Sequence, residues 1–168
     1  MVDLRVTTLT GRNSMLKEAA VADFKKSLRG ELVCPGDDGY DEARQVWNAN
    51  IDRRPALIAC CAGVADVINA VNFARTQNLL VSVRGGAHSF AGTAVCDGGM
   101  VIDLSRMKGT RVDPAKRTVR AEGGVKWGEF DHENQAFGLA TTGGTVADTG
   151  IGGLTLGGGH GWLGSKYG

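Results

Sequence analysis

Arg84-Gly85-Gly86-Ala87-His88-Ser89 follows a short β-like run, Leu79-Leu80-Val81-Ser82-Val83, and sets one histidine in a glycine-lined turn. A strand that opens into consecutive glycines offers backbone N–H groups to a ligand with no Cβ in the way. That suits a pyrophosphate, and it holds the histidine beside whatever the pyrophosphate belongs to. Arg84 supplies charge, Ser89 a hydroxyl, and Ala91-Gly92 continues the tight backbone. Taken alone, the six residues are equally compatible with an ordinary glycine turn carrying a solvated histidine.

Working outward, 21 of the 26 glycines fall between Gly85 and Gly168, in clusters at Gly123-Gly124, Gly143-Gly144, Gly150-Ile151-Gly152-Gly153 and Gly157-Gly158-Gly159. The spacing is neither a collagen period nor a flexible linker. Each glycine costs roughly 0.5–1 kcal/mol against alanine inside a regular element, so many of them in an ordered domain imply close backbone approach. A long phosphate-bearing cofactor running along several loops accounts for the pattern.

The two motifs together, Arg84 to Ser89 and Gly143-Gly-Thr-Val-Ala-Asp-Thr-Gly-Ile-Gly-Gly-Leu-Thr-Leu-Gly-Gly-Gly159, resemble the FAD-binding domain of the vanillyl-alcohol oxidase and p-cresol methylhydroxylase family. Within it the similarity is to berberine-bridge-like and 6-hydroxynicotine-oxidase-like FAD-linked oxidases, over roughly Arg54 to Gly168. The resemblance implies an α+β, two-subdomain FAD-binding domain of the p-cresol methylhydroxylase type. It places cofactor contacts at Arg84, Gly85, Gly86, Ala87, His88, Ser89 and Gly92, and at Gly143, Val146, Thr149, Gly152, Gly153, Gly158 and Gly159. It makes His88 the residue bonded to the flavin 8α carbon, through a neutral imidazole acting as nucleophile. Some relatives carry a second link from a cysteine, but Val146 stands at that position here, so the expectation is FAD held covalently through His88 only.

The resemblance also implies domain limits: a helical preface over residues 1–50, with no nameable chemistry, and an FAD-binding domain over 51–168, incomplete at its C-terminus before a substrate domain. A small organic substrate and O2 are then partners of the longer protein. The 168 residues alone are expected not to turn over substrate. A non-catalytic flavin-binding or structural fragment, and a noncovalent FAD reductase of the same fold, stay open as alternatives.

Composition is that of an average globular chain, 42% hydrophobic and 22% charged. No apolar run approaches the ~18 residues of a membrane span, and the N-terminus lacks a signal-peptide core. A net charge of +1 gives no reason to invoke nucleic acid. The expected location is cytoplasmic. Cys34, Cys60, Cys61 and Cys96 lack metal spacing and read as reduced thiols. Asp37, Asp38, Asp41 and Glu42 read as turn and helix-start acids, with no metal site.

Leu16, Ala20, Phe24 and Leu28 recur at helical spacing and predict a helix over 15–29 stopped by Gly30. Pro55 to Cys60 predicts a buried strand, 63–77 a helix, and Val81–Val83 and Met100–Leu104 strands bracketing the histidine loop. Arg111 to Ala121 predicts a hairpin turning at Pro114, and Val125 to Phe137 a helix with Trp127, Phe130 and Asn134 on related faces. The alternation lacks a doubly wound rhythm, which favours α+β over a Rossmann sheet. Gly159-His160-Gly161-Trp162-Leu163-Gly164 matches the dinucleotide pattern literally, but without a preceding strand it carries no weight. His132 reads as a solvated surface residue, and His160 has no visible partner for acid–base work.

Overall fold

Strands covered on both faces read as near-continuous apolar runs, and two of this kind, Leu57–Cys60 and Met100–Asp103, the second apolar up to its final aspartate, are buried at every position in the computed structural model, which describes residues 3–168. In chain order the elements are β1 (Leu4–Thr7), β2 (Asn13–Leu16), α1 (Glu18–Ser27), β3 (Glu31–Val33), α2 (Tyr40–Ala43), β4 (Leu57–Cys60) and α3 (Val64–Thr76). There follow β5 (Val81–Arg84), β6 (Met100–Asp103), β7 (Thr110–Asp113), β8 (Thr118–Ala121), α4 (Trp127–Gln135), α5 (Ile151–Gly157) and α6 (Gly164–Tyr167).

The main sheet has the order β3-β4-β6-β5. β4, β6 and β5 run parallel, with Leu57 and Val81 both opposite Met100, while β3 joins β4 antiparallel. Because side chains alternate across a strand, the sheet has two different faces. Leu57, Ala59, Met100 and Ile102 pack with Val21 and Phe24 of α1 and Ala70 and Ala74 of α3. Ile58, Cys60 and Val101 pack with Val33, Tyr40 and Val95 on the other side. Phe24 and Phe73 stack with ring centroids 4.1 Å apart, tying α1 to α3.

A smaller unit follows. The β7–β8 hairpin, α4 and α5 surround a separate cluster of Val125, Trp127 and Phe130, with Val119, Ala121, Ile151 and Leu154 at its edge. A single bridge, Lys126 to Gly150, stitches the start of α4 to the turn before α5. This α+β arrangement of two packed units, and each strand expected from β4 onward, agree with the sequence reading. Asn134 is buried beside Trp127 and Phe130, as the helical spacing requires.

The first third departs from expectation. The helix predicted over 15–29 starts only at Glu18, because Asn13–Leu16 is a strand paired with Leu4–Thr7. The intervening turn is closed by Thr8 N–H donating to Arg12 O at 2.8 Å, with Gly11 at φ 77°. Leu16 is buried as a strand residue opposite Leu4, and the period-four pattern arises because its buried position happens to fall in phase with Phe24. The preface is therefore not helical alone: it holds three strands, and β3 is an edge of the main sheet. No helix among the described residues is long and apolar enough to cross a membrane.

Candidate functional site

In open parallel sheets, clefts form beyond the carboxyl ends of the strands. Here the chain leaving β5 at Arg84 enters the glycine turn and meets the 149–150 turn and α5 of the second unit. A cleft of about 460 Å³ lies between them, lined by Val83, Gly85, Gly86, Ala87, His88, Ser89, Thr93, Ala94, Thr149, Gly150, Gly153, Leu154, Gly157 and Gly158. Its volume is within the usual range for small-molecule sites. Eight of the fourteen residues named from the sequence border it: Gly85, Gly86, Ala87, His88, Ser89, Thr149, Gly153 and Gly158.

The glycines do different jobs. A Cβ on Gly86 would lie 2.3 Å from Gly150 N, and one on Gly150 would lie 2.4 Å from Gly86 N. Those two glycines let the two units touch backbone to backbone. Gly85 similarly abuts Gly123 O, at 2.8 Å from its would-be Cβ. Gly153 and Gly157 are otherwise. Neither has a positive φ, and a Cβ on either would meet nothing within 4 Å. Both sit in α5, where glycine costs about 1 kcal/mol against alanine. Neither backbone geometry nor packing within the chain asks for glycine there, and both face the cleft.

His88 is mostly covered, its side chain 18% exposed. Its ring stacks on Trp47 with centroids 5.4 Å apart and planes 22° off parallel. Its Nε2 lies 3.2 Å from Asp148 Oδ2, and the other Asp148 oxygen is ion-paired with Lys126 Nζ. The Lys126 ammonium, and then His88, hold the Asp148 carboxyl below its ordinary value, so Asp148 is a carboxylate at neutral pH. Ala87 has φ 59°, uncommon for a residue with a Cβ, and its carbonyl accepts from Trp47 N–H at 3.0 Å. Asn48 Nδ2 donates to Phe90 O at 2.9 Å, so the segment after α2 straps the histidine loop at two points.

Six named residues are not among those lining the cleft. Arg84 turns under the loop: its Nη1 donates to Ala43 O, and its Nε lies 4.0 Å from Asp103 Oδ1. Its charge anchors α2 and does not line the cleft. Gly92 closes a turn onto Ser89 O at φ 73°, with Ile51 packed where a Cβ would be. Gly143 lies against the Trp127 ring, Gly152 faces Gly123, and Gly159 packs on Leu154. Val146 is half-exposed at the head of a turn that Thr149 N–H closes onto its carbonyl.

None of the four cysteines lines the cleft, and burial pushes the Cys60 and Cys61 thiols up to about 11 and about 12. His132 and His160 are exposed. Sequence reasoning passed over Trp47, Lys126, Asp148, Thr93 and Ala94. Asp148 lay inside the quoted second motif, where its charge was a usable signal. Trp47 gave none, since only the fold brings it to His88.

The family described as "FAD binding domain" matches residues 55–168. An FAD-linked oxidoreductase of Dictyostelium discoideum is 40% identical over 149 residues, covering 88% of this chain and 32% of its own length. The crystal structure of 6-hydroxy-D-nicotine oxidase from Arthrobacter nicotinovorans superimposes with a TM-score of 0.81 at 40% identity, over 84% of this chain and 31% of that one. Physcomitrella patens BBE-like 1 gives a TM-score of 0.82 at 26% identity, over 88% and 32%. The chain thus spans about a third of the length of the relatives it matches.

Proposed function

We propose, on the premise that this chain belongs to the family of FAD binding domains, that it holds the cofactor of an oxidase. The whole protein would take a hydride from a small organic substrate and pass the electrons to molecular oxygen. The observation that carries the reading is the pair Gly153 and Gly157, helical glycines that line the cleft and where an added Cβ would meet nothing within 4 Å among the described residues outside its own helix and chain neighbours. They keep clear a surface that a bound group would occupy. The similarity to 6-hydroxy-D-nicotine oxidase supports an organic substrate and an oxidase chemistry.

When bound, FAD supplies a ring that accepts a hydride and is reoxidised by oxygen. The chain's own residues supply the rest. Gly85, Gly86 and Ala87 would border the pyrophosphate through backbone, while Thr149, Gly153 and Gly157 follow the ribityl chain and ring edge. Arg84 contributes indirectly, by fixing the loop to α2. His88 would tether the flavin covalently. Val146 carries no thiol, so the tether is single.

The test is a peptide map. Trypsin cuts after Arg84 and Arg106, so His88 lies in the peptide Gly85–Arg106. Denatured wild-type protein should retain flavin on that peptide, His88→Ala should release all of it, and Val146→Ala should retain it. Flavin on a peptide bearing any cysteine other than Cys96, or on Cys96 by fragment masses, would refute the single tether.

A further inference from the structure

We propose that Asp148 is a positioning residue for His88. By accepting the Nε2–H it leaves Nδ1 with the free lone pair, and so makes Nδ1 the atom that joins the flavin. The inference rests on the reading that His88 carries the cofactor.

The carboxylate can only accept, so the nitrogen 3.2 Å from Asp148 Oδ2 must be the protonated one. The partner of a histidine's second nitrogen sets its tautomer, as in the carboxylate–histidine pairs of hydrolases. Asp148 is itself well placed to do this. Its neighbours are bonded on both sides to the start of α4, with Gly128 N–H donating to Ala147 O at 2.9 Å and Trp127 N–H donating to Thr149 O at 3.0 Å. Lys126 occupies its other oxygen, and Lys126 N–H is in turn held by Glu129 Oε2 at 2.7 Å. Trp47 covers the imidazole face, so ring plane and tautomer are both fixed.

In the attachment step the Nδ1–C8α bond forms and one C8α–H bond breaks, its proton leaving to solvent. The alkylated imidazole shares its Nε2 proton with Asp148. The electron pair of the broken C–H bond stays on the isoalloxazine; molecular oxygen takes it together with two protons from solvent, one replacing the proton released from C8α, and leaves as hydrogen peroxide. Without Asp148, the ring could turn and either nitrogen could present its lone pair. An exposed ion-pair cluster with only a structural role would leave attachment unchanged, since such pairs contribute about 0–1 kcal/mol.

The experiment adds FAD to flavin-free protein and follows the covalently retained fraction, with the linkage atom assigned by 15N NMR on labelled histidine. Asp148→Ala should attach flavin roughly ten-fold to a hundred-fold more slowly, the loss seen when the carboxylate orienting a metal-bound histidine is removed. Its thermal midpoint and its reversible FAD affinity should stay near wild type. Asp148→Asn, which keeps an acceptor oxygen, should recover much of the rate, and the wild-type linkage should be at Nδ1. Linkage at Nε2, or wild-type attachment by Asp148→Ala, overturns the proposal alone. Wild-type protein that releases all its flavin on denaturation overturns both the proposal and the tether beneath it.

Discussion

Gly86 and Asp66 show how single residues decide this structure for reasons their types do not disclose. Gly86 reads from sequence as a gap left for phosphate, yet its missing Cβ makes room for Gly150 N, 2.3 Å from where it would stand. Gly86→Val should therefore destabilise the fold by about 3 kcal/mol or more through overpacking, and flavin loss would follow from that. Chemical denaturation without FAD checks this: an unchanged midpoint would return Gly86 to a purely ligand-facing role. Asp66 is fully buried and accepts from Arg29 N–H at 2.9 Å, Gly30 N–H at 3.0 Å and Ala62 N–H at 2.8 Å. Burial alone would raise its carboxyl, but the three donations outweigh it and hold the group below its ordinary value. A depressed folded value means the contribution is fully present above the unfolded carboxyl's ~3.9 and is lost as pH falls through the lower folded value. Asp66→Asn turns one acceptor into a donor against a backbone N–H and should cost about 2–3 kcal/mol at neutral pH. It should also flatten the acid limb of a stability–pH curve, and an unaltered limb would show that the Asp66 carboxyl is not held below its unfolded value.

At the scale of elements, legibility followed the locality of the signal. β4 and β6 were readable because burial on both faces leaves a near-continuous apolar run, broken in β6 only by Asp103 at its end, and α3 and α4 because their spacing is helical over more than two turns. β2 was not, since four residues beside a helix share its phase, and only pairing with Leu4–Thr7 makes them a strand. Thr8-Leu9-Thr10-Gly11, with Gly11 left-handed, was the available clue to the hairpin. The histidine loop was legible as a glycine turn, whereas its supports were not. Trp47 lies 41 positions from His88 and Asp148 lies 60, distances that no local pattern spans. The strap gives a prediction at this scale. Trp47→Ala removes the ring stacked on His88 but leaves the backbone bond to Ala87, so the fold should persist while the His88 ring becomes mobile. Histidine side-chain relaxation by NMR would read that change, and a ring as rigid as wild type would assign the restraint to Asp148 alone.

Across the whole molecule, the cleft exists because two separately packed units meet along a seam of bare backbone, and the residues from α5 onward expose several large apolar side chains. Leu156 is 91% exposed and Trp162 83%, with Tyr167 also exposed, whereas Leu163 is half-buried. Exposed apolar surface of this kind promotes association. The 168-residue chain should therefore self-associate, and Leu156→Gln with Trp162→Gln should shift it towards monomer in sedimentation. An unchanged distribution would place the contact elsewhere. The central claim is that the seam holds FAD, and Gly153→Leu tests it most directly. Leucine is a better helix former by about 1 kcal/mol and meets no protein atom within 4 Å at its Cβ. The variant should unfold at a temperature equal to or above that of flavin-free wild type, yet bind no FAD in equilibrium titration. A folded Gly153→Leu protein that takes up FAD as wild type does would contradict the account.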